Sequence, residues 1–138
     1  MIAQVYVNTT NLNIDKPFDY LVPEELESKI AVGCRVKVSF GGGNLPKEAF
    51  VTALKDKSDF DSLKSIRSVT DEFPVLTKSS IELCFYMRER YFCTFYDAIR
   101  VMLPAGLWFR TKNTFSLTGD RSWKEKTIRN ALAKSILT

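Results

Sequence analysis

The chain has 138 residues, 45% of them apolar, which suits one globular domain with a short extension and fits neither a disordered nor a membrane composition. Its longest uncharged apolar stretches, such as Cys84–Met87 and Val101–Leu103, fall far short of the ~20 residues that cross a bilayer, and no secretory leader precedes Tyr6, so a cytoplasmic location is expected. The net charge of +4 is unevenly placed: residues 1–109 carry 13 Lys+Arg against 14 Asp+Glu, a net of −1, while residues 110–138 carry 7 against 2, a net of +5. Bulk attraction to phosphate is thereby excluded as a property of the main body, and nucleic-acid binding there would need a local site.

In chain order, Ile2 to Val7 alternates apolar and polar residues and predicts a strand, followed by an Asn/Thr-rich turn over 8–13. Pro17 biases its predecessor away from helix, and the aromatics of Phe18-Asp19-Tyr20-Leu21-Val22 favour a second strand that Pro23 closes. Cys34 to Phe40 alternates strictly, placing Cys34, Val36, Val38 and Phe40 on one face and Arg35 and Lys37 on the other. Gly41-Gly42-Gly43-Asn44 predicts a turn, Ala49 to Leu54 the returning strand, and Lys64 to Val69 a last short one. Short strands divided by turns predict a small, strongly bent sheet or open barrel.

The period then changes from two to helical. Ser79-Ser80-Ile81-Glu82 has the spacing of a capping box, and Ile81, Cys84, Phe85, Arg88 and Tyr91 or Phe92 recur on one helical face. Thr94-Phe95-Tyr96-Asp97 repeats the box with Asp and opens a shorter helix that Pro104 ends. A third box, Ser122 to Glu125, begins an amphipathic helix with Ile128, Leu132 and Ile136 after an extended stretch over 110–117. One strand and one helix cannot bury two faces, so residues 110–138 are expected to be the beginning of a second domain. The exposed helix would be covered by the first domain or by a second copy, giving a dimer through the 122–136 helix. The fold class is therefore α+β: the bent sheet, two helices, then a strand-helix fragment.

Little in the chain suits catalysis. There is no histidine, hence no imidazole base or ligand, and Cys34, Cys84 and Cys93 form no C-x-x-C pair, so buried thiols are expected rather than a disulfide framework or zinc site. Gly41 to Lys47 is not a phosphate loop, because Pro46 stands where the glycine before the lysine is required. Asp56, Asp59 and Asp61 lack calcium-loop spacing and are expected to be a solvated connection. Pattern alone makes Phe18-Asp19-Tyr20 an ordinary strand, rings inward and carboxylate outward. The functional alternative is that aromatic rings give a nucleobase a stacking surface, worth about 1–3 kcal/mol per base. A carboxylate beside them would then suit a terminal 3′-hydroxyl, a donor that an internal nucleotide lacks.

Five segments in register carry a more specific message: Lys16 to Pro23 (KPFDYLVP), Val32 to Gly41 (VGCRVKVSFG), Leu63 to Ile66 (LKSI), Asp71 to Leu76 (DEFPVL), and Tyr91-Phe92-Cys93 with Met102 to Gly106 (MLPAG). They closely resemble the N-terminal region of the primosomal protein N′ family, the PriA replication-restart helicases, over about the first 110 residues. The resemblance implies a 3′-DNA-end-binding domain over 1–109 in which Phe18, Asp19 and Tyr20 line a pocket for the terminal nucleotide. Gly41 would allow close backbone approach there, and Lys64 would offer a cation to the last phosphate. It implies that 110–138 begins a winged-helix domain, and that the chain itself has no catalytic motif and no cofactor; ATP, magnesium and zinc belong to a helicase core outside it. The implied partners are DNA with a free 3′ end at stalled forks and, through the full-length protein, replication-restart and single-strand-binding proteins, with no membrane. The sequence departs from the family at Thr94-Phe95-Tyr96, between the helices, and in the extra glycines after Gly41. Two other classes stay open from the residues: a protein-interaction module anchored by Trp108, Phe109 and Trp123, and a general single-strand binder led by the basic tail.

Overall fold

The computed structural model describes residues 1–107, which form one compact unit from Met1 to Leu107. The strand and helix expected over 110–138, and the anchors Trp108, Phe109 and Trp123, lie outside the described residues. Five strands, β1 (Ile2–Val7), β2 (Phe18–Leu21), β3 (Arg35–Phe40), β4 (Leu45–Lys55) and β5 (Ile66–Val69), pair in the order β2-β1-β4-β3-β5, every ladder antiparallel. A single helical turn α1 (Glu24–Glu27) follows β2, and two helices, α2 (Lys78–Tyr91) and α3 (Phe95–Met102), follow the sheet.

Strand β4 bends the sheet. Its first half pairs with β3 and its second half with β1, and the residue inserted at Thr52, where Gln4 opposes Ala53 and Val5 opposes Val51, is a bulge that adds local twist. A second bulge skips Arg67 between the Lys37–Ser68 and Val38–Ile66 pairs. The curvature brings the two edges of the sheet together, where Leu21 N–H donates to the Lys64 carbonyl at 2.9 Å and Leu21 bridges Ser65. The expected bent sheet or open barrel followed by two helices is thus the observed α+β architecture. The returning strand starts at Leu45, earlier than the Ala49 read from apolar alternation, because backbone pairing with β3 extends into the polar residues 45–48.

The barrel interior holds Ala3, Val5, Val7, Tyr20, Val36, Val38, Ala49, Val51 and Ile66. The outer face of β1 and β4 is covered as well: Tyr6 packs on Phe85 of α2 and Phe95 of α3 with centroids 5.5 and 4.5 Å apart, and Phe85 meets Phe95 at 5.0 Å. Two-sided cover explains why β1 is buried along almost its whole length. On the face of β3 that Arg35 shares with Lys37, the two differ: Lys37 is exposed and Arg35 is fully buried. Its guanidinium grips Asp71 with two nitrogens, Nε at 2.8 Å from Oδ2, and its third nitrogen donates to the Leu107 carbonyl. That fork raises the Arg35 pKa, the hydrogen bonds to Asp71 outweighing burial.

Thr94 and Asp97 form the expected reciprocal capping box of α3, Asp97 N–H donating to Thr94 Oγ1 at 3.1 Å and Thr94 N–H to Asp97 Oδ2 at 3.2 Å. The box expected at Ser79–Glu82 does not form. Helix α2 begins earlier, with Thr77 as the cap accepting from Ser80 N–H at 3.1 Å, since Thr77 already supplies the hydroxyl in extended backbone that a cap requires. Nor do Tyr91 and Phe92 continue its inner face: they are 65% and 90% exposed, because Phe92 takes the left-handed conformation that ends the helix. Asp15, from the loop before β2, joins both helices to the sheet. Its carboxylate accepts from Arg88 of α2 and from Phe95 N–H of α3, the latter at 3.0 Å.

Candidate nucleic-acid interface

A pocket of about 500 Å³ opens where β2 faces the 57–64 connection. Apolar side chains make most of its wall: Pro17, Phe18 and Tyr20 from the second strand and its approach, Phe40 from the end of β3, and Phe60 and Leu63 from the connection. Polar groups reach it from Lys16, Asp19, Gly41, Ser62 and Lys64. All five residues expected at the site therefore come together, drawn from three segments that the bend of the sheet makes adjacent.

Their individual settings differ from a simple aromatic shelf. Phe18 and Tyr20 share one face of β2, as a two-residue period requires, and that face turns into the barrel. Tyr20 is 4% exposed and its hydroxyl donates to the Ser39 carbonyl at 3.0 Å, so it is a fixed floor; burial raises its pKa and keeps it a neutral donor. Phe18 is half-buried, edge-on to Phe40 at 5.1 Å, with the Lys16 ammonium 5.7 Å from its ring. It is the ring of β2 placed to meet a ligand.

Asp19 points the other way from those rings, yet not to bulk water. Its side chain is 7% exposed and is held by Ser58 Oγ–H at 2.8 Å and by Lys55 Nζ at 3.4 Å. A carboxylate has about four acceptor positions, so these two contacts leave room for a further donor. Its backbone N–H points away from β1, toward the segment that carries Lys64. Leu21 N–H crosses the open edge to Lys64, and peptide groups two residues apart point the same way along a strand, so Asp19 N–H is directed to that edge too.

Gly41 and Lys64 meet each other. Lys64 Nζ donates to the Gly41 carbonyl at 2.7 Å, which ties the turn after β3 to the connection before β5 and leaves the ammonium two further N–H donors. Gly41 sits at φ +69°, a left-handed conformation, and nothing lies within 4 Å of where a Cβ would be, so glycine serves the backbone conformation and open approach rather than packing. Lys16 and Lys64 line the pocket and Lys55 pairs with Asp19, while the connection that carries Phe60 also carries Asp59 and Asp61. Cations and anions are thus both present around the site.

Sequence reasoning missed Phe40, Phe60, Ser58 and Lys55. Phe40 was visible as the last inward residue of the clearest strand. Phe60 had a weaker signal, a bulky apolar residue in a connection read as merely solvated. Ser58 and Lys55 carry no local signal, since their partner Asp19 lies 39 and 36 residues away.

Residues 4–104, which contain the whole pocket, match the PriA 3′DNA-binding domain (3′BD) family. The chain is 37% identical over 107 residues to the replication restart protein PriA of Bacillus subtilis, covering 76% of this chain and 13% of that protein. It is 33% identical over 108 residues to replication restart protein PriA of Chlamydia muridarum, covering 75% and 14%. Against the probable replication restart protein PriA of Mycobacterium tuberculosis it is 34% identical over 94 residues, covering 67% and 14%. The chain thus spans about one seventh of the length of these relatives. With the pocket, the two helices and all of the barrel except the first two residues of β1 inside the matched span, the chain belongs to the PriA 3′DNA-binding domain family.

Proposed function

We propose that this domain recognises the 3′-terminal nucleotide of a DNA strand, with Asp19 accepting the hydrogen bond of the free 3′-hydroxyl. The observation that carries this reading is the enclosed Asp19 carboxylate, fixed by Ser58 and Lys55 with acceptor capacity left over, at the rim of an aromatic pocket. The terminal base lies against Phe18 over the Tyr20 floor, worth about 1–3 kcal/mol for the stack. Lys16 and the remaining N–H groups of Lys64 meet the last phosphate, and Gly41 lets the backbone of the turn come close.

End selection then follows from the donor rather than from repulsion. An internal nucleotide or a 3′-phosphate presents acceptors to a carboxylate, and the charged hydrogen bond, worth about 1.5–3 kcal/mol, is lost. Because Lys55 is paired with Asp19, net repulsion contributes less than the missing proton. Within a full-length replication-restart helicase, the domain would place an ATP-driven motor at a fork whose nascent strand ends there. The magnesium, ATP and zinc would belong to that motor, with residues 110–138 leading into a winged-helix domain. One shallow pocket gives weak binding by itself, ~10⁻⁴ to 10⁻⁶ M.

The test compares single-stranded oligonucleotides ending in 3′-hydroxyl and in 3′-phosphate by fluorescence anisotropy, with Asp19→Asn alongside. The hydroxyl end is expected to bind about 10-fold or more tightly, the size of a charge-assisted hydrogen bond, and the variant to lose most of that ratio. Equal affinity for both ends rejects the reading in favour of a general single-strand binder or a protein-interaction module.

A further inference from the structure

Phe60 is 66% exposed, an unusual position for a phenyl ring in a stretch as polar as Asp56 to Ser62, yet it forms part of the pocket wall. Its loop is registered to the recognition group by two hydrogen bonds. Phe60 N–H donates to Ser58 Oγ at 3.3 Å, and Ser58 Oγ–H donates to the Asp19 carboxylate at 2.8 Å. The hydroxyl thus gives its proton to Asp19 and accepts one from the backbone of Phe60, which fixes the direction of both bonds.

Charge indicates what the loop meets. Asp59 and Asp61 adjoin Phe60 in the chain, so a phosphate is disfavoured along this segment, whereas the uncharged face of a base is not. The lysines that favour phosphate, Lys16 and Lys64, belong to other segments of the wall. We propose that the 58–61 loop is the end wall of the pocket: Phe60 stacks on the terminal base, and Ser58 sets that ring in register with the carboxylate that reads the 3′-hydroxyl. Phe60 is thereby a binding residue for any nucleobase, and Ser58 a positioning residue. This rests on the reading of Asp19 as the hydroxyl acceptor.

The experiment uses the 138-residue chain and three oligonucleotides: one ending in an ordinary 3′-hydroxyl nucleotide, one in an abasic 3′-hydroxyl deoxyribose, and one in a 3′-phosphate. The hydroxyl-over-phosphate ratio reports on Asp19, and the change that Phe60→Ala makes in the base-over-abasic ratio reports on Phe60, so failure of one is distinguishable from failure of the other. Phe60→Ala is expected to weaken binding of the ordinary end by about 5- to 100-fold, the range for loss of one base stack, while leaving the abasic end nearly unchanged. Phe60→Trp retains the base-over-abasic ratio. Ser58→Ala lowers both ratios with the melting temperature kept. A base-over-abasic ratio that Phe60→Ala does not change, or an equal loss on both ends, overturns the proposal whatever the hydroxyl-over-phosphate ratio does.

Discussion

The proposed role of Asp19 depends on partners that leave it acceptor capacity: one hydroxyl and one ammonium, on separate oxygens. Its type and place were legible in the sequence, because the alternation of Phe18-Asp19-Tyr20 and the family motif both single it out. The enclosure was not, since it is made by Lys55 and Ser58, far away along the chain. The same limit hid the burial of Arg35, whose partners Asp71 and Leu107 lie far along the chain. Glu48 of β4 lies within the influence of the Arg35–Asp71 pair. Burial raises its pKa above the ordinary 4.5, and Asp71 adds to the rise, against the opposing pull of Arg35 and Lys37. A raised carboxyl pKa means that the folded state binds the proton more tightly than the unfolded chain does. Its stability contribution is therefore complete below the unfolded value and is lost as pH rises through the folded one. Glu48→Gln is accordingly expected to melt higher than the parent at pH 7, with the gap closing as pH falls below about 4.5, where Glu48 is protonated in both states. Thermal scans across that range check it, and a gap independent of pH contradicts the assignment.

Among the elements, the strands and the second capping box could be read directly, because period two and the spacing of Thr94 and Asp97 are local signals. Three features could not. The bulges at Thr52 and Arg67 follow from pairing between distant strands, the start of α2 depended on Thr77 competing successfully with Ser79, and β4 ran on through polar residues that ladder bonds hold in place. Gly33, two residues before β3, is a crossing point. It takes φ +95°, its N–H donates to Val51 at 2.8 Å, and its carbonyl accepts from Val75 and Leu76. A Cβ there would sit 2.0 Å from the Leu76 carbonyl oxygen, which is backbone and cannot swing away. Gly33→Ala therefore combines a left-handed penalty of about 1–2 kcal/mol with an overpacking cost of about 1–3 kcal/mol. The melting temperature should fall by more than ~10 °C, on a scale of about 4–8 °C per kcal/mol for a domain of this size. A drop of only a degree or two would show that the segment before α2 moves aside freely.

For the molecule as a whole, burial on both faces of the sheet decides where function can sit. The interior is filled by the aliphatic core and the outer face of β1 is covered by α2 and α3, so the rim between β2 and the 57–64 connection is where an aromatic pocket stays open. Charge at that rim is mixed: Lys16 and Lys64 line the pocket, Lys55 pairs with Asp19, and Asp59 and Asp61 adjoin Phe60 in the connection. The most direct measurement is a crystal structure of the chain bound to a short oligonucleotide ending in a 3′-hydroxyl. The terminal O3′ should lie within hydrogen-bonding reach of an Asp19 carboxylate oxygen, with the last base against Phe18 and Phe60 and the preceding phosphate near Lys16 or Lys64. A strand that crosses the domain with its final sugar elsewhere, leaving Asp19 bonded to Ser58 and Lys55 alone, would contradict the account.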